Sequence, residues 1–340
     1  MRNHIVALVS ALVFTMIPAA GQAPAGKNAA DAVKAPWTPP RTPDGQPDLQ
    51  GVWTNNSVTP LQRPKELAGK EFYTEAEMAA VRQKQLERYE LDEKEGEPAA
   101  NHSGVEGAPA ETVHYDHAQF GLDWLQSKLN WNRRTSLIVG PEGRIPPLTP
   151  EARKRRADMA DKAEGHQFDG PEDRPLEARC LARANVGPPL VPTRYNSNLQ
   201  IVQGPGYVAI ETEEIHDVRV IPVNGRPHPA KNIRQWLGDS VGHWEGNTLV
   251  VDTTNFTDRT PFPGAQNLHV IERITRTAED TLLYQFTVED PGMWTKPWSG
   301  EVPITKMAGQ IYEYACNEAN YGLENTLRGA RVADAEAARK

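Results

Sequence analysis

The sequence predicts a mainly-β protein with an α-helical insertion: an antiparallel barrel or sandwich of about eight strands behind an N-terminal helical segment. Three observations carry this. From residue 198 onward, stretches such as TLVVDTTNF and TLLYQFTVED alternate apolar and polar side chains, the period of a strand with one buried face. Short turn-forming pieces such as Gly204, Pro205 and Gly206 separate those stretches. Upstream, two helix-start signals stand at Thr74 and Thr149.

Residues 1–25 begin with a short basic start, continue as an apolar run and end in small residues. That is the pattern of a secretory signal peptide. The apolar run is interrupted by Pro18 and falls short of the ~20 residues a spanning helix needs. The expectation is an exported chain, periplasmic or secreted, with no transmembrane segment once the leader is removed. Residues 26–48 are rich in Ala, Pro, Lys and Asp and read as an extended linker.

Residues 49–180 combine a first strand, LQGVWTN, with a helical and hairpin insertion. Thr74 with Glu77 forms a capping box ahead of a highly charged helix. Residues 95–111 read as a polar loop, with a surface segment carrying His114 and His117 after it and a further helix or turn over 117–131. RTSLIVGPEGRIPPL has the form of a hairpin turning at Gly140, Pro141, Glu142 and Gly143. Thr149 as N-cap and Pro150 at the first helical position start another helix. Residues 181–331 then hold the strands LQIVQ, YVAIETE, HDVRVIPV, TLVVDTTNF, LHVIERITRT, TLLYQFTVED, WSGEVPITK and IYEYAC, and 332–340 form a tail. The polar run WLGDSVGHW before TLVVDTTNF reads either as a tight turn between strands or as one wall of a chemical site, with Trp236 and Trp244 bracketing Asp239 and His243.

The formal net charge is −8, which argues against nucleic acid as a partner, since such binding needs a basic footprint. Eight tryptophans and 29 prolines describe an ordered, loop-rich chain. Its only cysteines, Cys180 and Cys316, are expected to form a disulfide in an oxidising compartment; the other possibility is two buried, unpaired thiols. Neither has a C-x-x-C or C-x-x-H partner, so no metal site is expected at them.

G-x-W at Gly51 and Trp53, followed by a β-meander, is similar to the lipocalin and wider calycin barrels. That resemblance implies an antiparallel barrel in which Trp53 closes one end. The string GDS-x-G-x-WEG-x-TLVVDTTNF, with LHV-x-ER-x-TR, TVEDP and YEYAC-x-E-x-NYG, also resembles a large family of exported, mostly uncharacterised bacterial proteins. It covers residues 45–331 and implies export but no particular reaction. Where that family is expected to read Cys-His-Glu-Gly-Asn, this chain has Cys316, Asn317, Glu318, Ala319 and Asn320, which weakens a catalytic role for the segment.

An eight-stranded barrel can hold one small ligand, and polar groups pointing into it are costly unless paired. The catalytic candidates are therefore His216 as general acid or base, Asp239 to orient it, Arg219 to stabilise developing negative charge and Tyr195 as a proton donor. Glu214, Arg226, Trp236, His243, Trp244 and His269 are candidate substrate contacts. The alternative for each is a strand-end salt bridge, with Asp217 pairing Arg219 locally and Glu272 and Arg273 solvated. Ser240 lacks the G-x-S-x-G elbow of a nucleophile. Neither a dinucleotide fingerprint nor a P-loop occurs, so no cofactor is expected, and no H-E-x-x-H motif supports a metal.

Three functions follow. One is a cofactor-independent lyase, isomerase or hydrolase acting on a small polar or aromatic molecule. Another is a lipocalin-like carrier or sensor using the same pocket. The last is a structural envelope protein.

Overall fold

The computed structural model describes residues 37–94, 132–184, 186–193, 196–260, 262, 264, 267–318 and 320–339, with only the backbone course for 85–94. The leader, the loop at 95–111, the segment at 117–131, His114, His117 and Tyr195 lie outside the described residues. In chain order the main elements are β1 (Gly51–Thr54), α1 (Glu75–Lys94), α2 (Pro150–Ala163), β2 (Asn198–Gly204), β3 (Tyr207–Thr212) and β4 (Val218–Pro222). Then come β5 (Asp239–Glu245), β6 (Thr248–Thr254), β7 (His269–Ala278), β8 (Thr281–Glu289), β9 (Trp298–Lys306) and α3 (Tyr321–Ala337).

The nine strands form one antiparallel sheet in the order β4-β3-β2-β1-β9-β8-β7-β6-β5. Its two ends, β4 and β5, lie side by side, so the sheet curls into a nearly closed barrel. Gly242 on β5 makes that approach possible: a Cβ there would sit 2.9 Å from Ile221 Cγ2 and 3.0 Å from Val223 Cγ1.

Alternation sorts the side chains between the two faces. Val270, Glu272, Ile274 and Arg276 of β7 point inward with Leu282, Tyr284, Phe286 and Val288 of β8. The apolar ones join Trp53, Leu199, Ile210, Leu249 and Val302 in one buried cluster. Each large apolar side chain removed from water there contributes about 1.5–3 kcal/mol. Trp53 is fully buried and donates from Nε1 to the Leu49 carbonyl at 2.9 Å. The Arg276 guanidinium lies 5.6 Å from its ring centroid and donates to the carbonyls of Asp48 and Glu279. Trp53 thus packs as an end-closing residue would.

The interior also holds an ion pair. Both Arg219 terminal nitrogens donate to Glu272, Nη2 to Oε1 at 2.8 Å. Tyr284 Oη donates to the same Oε1 at 2.8 Å and accepts from the Leu190 amide at 2.8 Å. Residues 186–190, VGPPL, are buried throughout, so this loop is anchored to the interior face of β8. Glu272 is 0 % exposed. It is therefore not solvated as expected, and Arg219 reaches across the barrel instead of pairing with Asp217. Desolvation and the neighbouring Glu272 charge push the Tyr284 phenol well above its ordinary value.

Both helix-start signals hold. Glu77 N–H donates to Thr74 Oγ1 at 3.3 Å while Thr74 N–H donates to Glu77 Oε2 at 2.8 Å. Thr149 Oγ1 caps α2 by accepting from Ala152 N–H at 3.1 Å. The disulfide also forms: Cys180 and Cys316 are bridged with a Cα–Cα distance of 5.6 Å. It ties the chain leaving the barrel to the segment ahead of β2 and fits an oxidising compartment.

Four expectations change. DSVGHWE is a strand, β5, not a turn. Its inward residues Ser240, Gly242 and Trp244 lack an aliphatic rhythm, and Ser240 Oγ satisfies itself on Thr253 Oγ1 at 2.9 Å. IYEYAC is not a strand, and its Tyr312 is 63 % exposed. RTSLIVGPEGRIPPL turns at Gly140 to Gly143, but its arms pair elsewhere, Ile138 with Gly300 and Leu148 with Trp294. The buried Arg63 side chain supports the turn by donating to the carbonyls of Pro141 and Gly140. Finally, the tail beginning at 332 is helical up to 337, where it forms the last third of α3.

Candidate functional site

The site lies on the outer face of β5 to β8, beneath the strap of residues 223–238 that joins β4 to β5. Pro227 and Pro229 flank His228 and restrict the backbone on either side of it. Asn255 Nδ2 holds the strap down by donating to the Pro229 carbonyl at 3.1 Å. The strap delivers Arg226 and His228 to the first residue of β5. Arg226 donates to both oxygens of Asp239, at 2.7 and 3.2 Å, and His228 Nδ1 meets Asp239 Oδ2 at 2.7 Å.

From there the contacts cross the sheet. His228 Nε2 is 3.1 Å from Asp252 Oδ1, and Asp252 Oδ2 is 3.0 Å from His269 Nε2. His269 Nδ1 lies 3.4 Å from Glu289 Oε2. The result is an alternating row: Arg226, Asp239, His228, Asp252, His269, Glu289. Its geometry is nearly symmetric about Asp252. Each imidazole turns Nε2 toward that central carboxylate and Nδ1 toward a carboxylate behind it.

An ionised carboxylate only accepts hydrogen bonds. An imidazole facing one at each nitrogen makes both bonds only while it carries two protons. With both rings so protonated, the charges of Arg226, the imidazoles and the three carboxylates balance. The Asp252 bond, outweighing burial, raises His269 above its ordinary value of 6.5, and Glu289 adds to the effect. The His269 bond, again against burial, holds Asp252 below its ordinary 3.8. At Asp239 burial opposes ionisation, but the bonds from Arg226 and His228 prevail and lower it. The Asp239 side chain is 7 % exposed and that of Asp252 38 %. The anchoring end is thus buried and the centre is open to solvent.

Of the residues expected to act, Arg226, Asp239 and His269 come together here. His216 does not: it is exposed beyond β3, on a turn where Ile215 and His216 both have positive φ. Asp239 therefore orients His228 and not His216. Arg219 is committed to Glu272 inside the barrel. Glu214 is 1 % exposed and paired with Arg183. His243 is exposed and pairs with Glu245 at 3.1 Å. Trp244 points inward and packs on the core, while Trp236 is half-buried in the strap.

Sequence reasoning missed His228, Asp252 and Glu289. Two signals were available: a histidine held between prolines, and a carboxylate on the outward face of an otherwise apolar strand. Among the described residues, no group of three or more His, Cys, Asp or Glu side chains is arranged to hold a metal ion. No helix among them is long and apolar enough to cross a membrane.

Beside the row lies a groove of about 220 Å³ on the outer face of β7, β8 and β9, with Ile271, Arg273, Thr287 and Ser299 among its lining. Ile271 is the register partner of both Asp252 on β6 and Thr287 on β8. The groove wall is therefore one strand away from the central carboxylate, about 5 Å by sheet spacing. No protein-family model matches the chain, and no curated protein matches it.

Proposed function

We propose that this protein is an exported acid–base enzyme, a lyase, isomerase or hydrolase, that works without a cofactor on a small polar or aromatic molecule. The observation that carries the reading is the open Asp252 carboxylate held between two imidazoles, each backed by its own carboxylate. Such backing fixes ring orientation and stabilises the charged form, the usual requirements of a positioned acid or base. His269 acts as general acid from Nε2. Asp252 is the adjacent base. His228, oriented by Asp239, restores the proton balance from the buried side. Export is supported by the leader pattern of residues 1–25 and by the disulfide, and the resemblance to exported bacterial proteins fits it.

The reading moves the chemistry from the barrel interior to its outer wall. Trp53, Tyr284 and Phe286 together with the 186–190 loop occupy interior space, which weighs against an interior-binding carrier. The test is incubation of the full chain with a mixed metabolite extract, followed by mass spectrometry. Turnover that disappears in both His269→Gln and Asp252→Asn, each shown folded by circular dichroism, supports the enzyme. A compound retained but chemically unaltered, or turnover surviving both substitutions, overturns it.

A further inference from the structure

We propose that the groove on β7, β8 and β9 binds a small carboxylic acid with an apolar or aromatic body, and that Arg273 selects its carboxylate. What happens to the bound acid rests on the acid–base reading above; its binding does not.

Arg273 projects from the outer face of β7, and its side chain is 42 % exposed. Nη2 donates to Glu245 Oε2 at 2.8 Å. A guanidinium has five N–H donors in a planar fork, and the others make no further hydrogen bond among the described residues. An arginine with donors to spare at the edge of a groove suits a carboxylate, which it can meet with paired bonds. The walls suit the rest of such a ligand. Val139 and Ile271 are apolar, and Val139 is fixed by its amide donating to the Ser299 carbonyl at 3.0 Å. Thr287 Oγ1 and Ser299 Oγ are 2.8 Å apart and paired, leaving a floor of modest polarity.

Size and position agree with this. At about 30 Å³ per water molecule, the volume corresponds to roughly seven waters, the bulk of a single substituted ring. Arg273 and His269 flank Ile271 on one face of β7, each about 7 Å away along the strand. An acid whose carboxylate meets Arg273 lies over Ile271 and presents its far end to Asp252 and His269. The net charge of −8 offers an anion no general attraction, so selection falls to Arg273 itself.

The test is a titration of the isotopically labelled full chain with benzoate and with benzamide, at fixed ionic strength, followed by ¹H–¹⁵N correlation spectra. Benzoate is expected to shift the amides of Ile271, Arg273, Thr287 and Ser299 and to bind about tenfold tighter than benzamide, the difference one charge-assisted bond makes. Arg273→Gln should remove that preference. Glu245→Gln, which frees the guanidinium, should strengthen it. Equal binding of the two probes, shifts gathered elsewhere, or a preference that survives Arg273→Gln would overturn the proposal. His269→Gln separates the two readings, because the benzoate preference should persist in it. If wild-type protein shows the preference yet turns over nothing in the metabolite extract, the groove stands and the enzyme reading falls.

Discussion

Asp252 Oδ1 faces His228 Nε2 at 3.1 Å while its Oδ2 faces His269 Nε2 at 3.0 Å. One carboxylate thus joins a strap histidine to a strand histidine. The strap and the sheet are coupled through a side chain that solvent can reach, and the coupling depends on protonation.

Stability should follow pH accordingly. His269 is raised above 6.5 in the folded chain, so its contribution is complete below 6.5 and is lost as pH rises through the folded value. Asp252 is lowered below 3.8, so its contribution is complete above 3.8 and is lost as pH falls through the folded value. The two overlap fully between those ordinary values. Urea midpoints should fall above that window in the wild type, and less steeply in His269→Gln. An identical alkaline slope in both proteins would refute the assignment.

Asp239→Asn should release His228 from its buried anchor. The loss of a charge-assisted partner for Arg226 and His228 is expected to cost about 1–3 kcal/mol. The imidazole resonances of His228 should also move, because the ring loses the carboxylate that faces its Nδ1 at 2.7 Å. Unchanged His228 resonances would show that Asp239 does not orient the ring.

Glu272→Gln tests the interior pair. It leaves the Arg219 guanidinium buried without its countercharge, and breaking such a pair costs about 3–5 kcal/mol. Tyr284→Phe removes a donor to Glu272 and the acceptor of the Leu190 amide but strands no buried charge, and should cost less, about 1–3 kcal/mol. Denaturant unfolding of the two variants should therefore rank them clearly, and equal losses would contradict a committed ion pair.

Gly242→Ala addresses the seam. The added methyl meets Ile221 and Val223 across β4 and β5 at 2.9 and 3.0 Å, and overpacking of this kind costs about 1–3 kcal/mol. Gly246→Ala sits in the β5–β6 turn with nothing within 4 Å of its Cβ but with φ of +61°, so it carries backbone strain alone. Amide exchange should speed up along β4 and β5 in the first variant and only around the turn in the second.

Sequence alone determined the local features of this protein. The period of two in TLVVDTTNF and TLLYQFTVED sets which side chains face the core, because successive residues on a strand point to opposite faces. The caps at Thr74 and Thr149 act within one helical turn, and Gly51, Trp53 and the two cysteines read correctly as the first strand and the disulfide. The departures share a different cause. DSVGHWE forms a strand because it pairs in register with β6, where Thr253 satisfies Ser240, and Gly242 lets it lie against β4 at the seam. IYEYAC alternates like a strand yet finds no place in the sheet. His216, close in sequence to β4, is turned away, whereas His228 meets Asp239 only because the strap folds back over the seam. Period and capping are properties of neighbours along the chain. Pairing of buried charge and convergence of side chains on Asp252 depend on closing loops between distant segments, and only the tertiary structure brings those together.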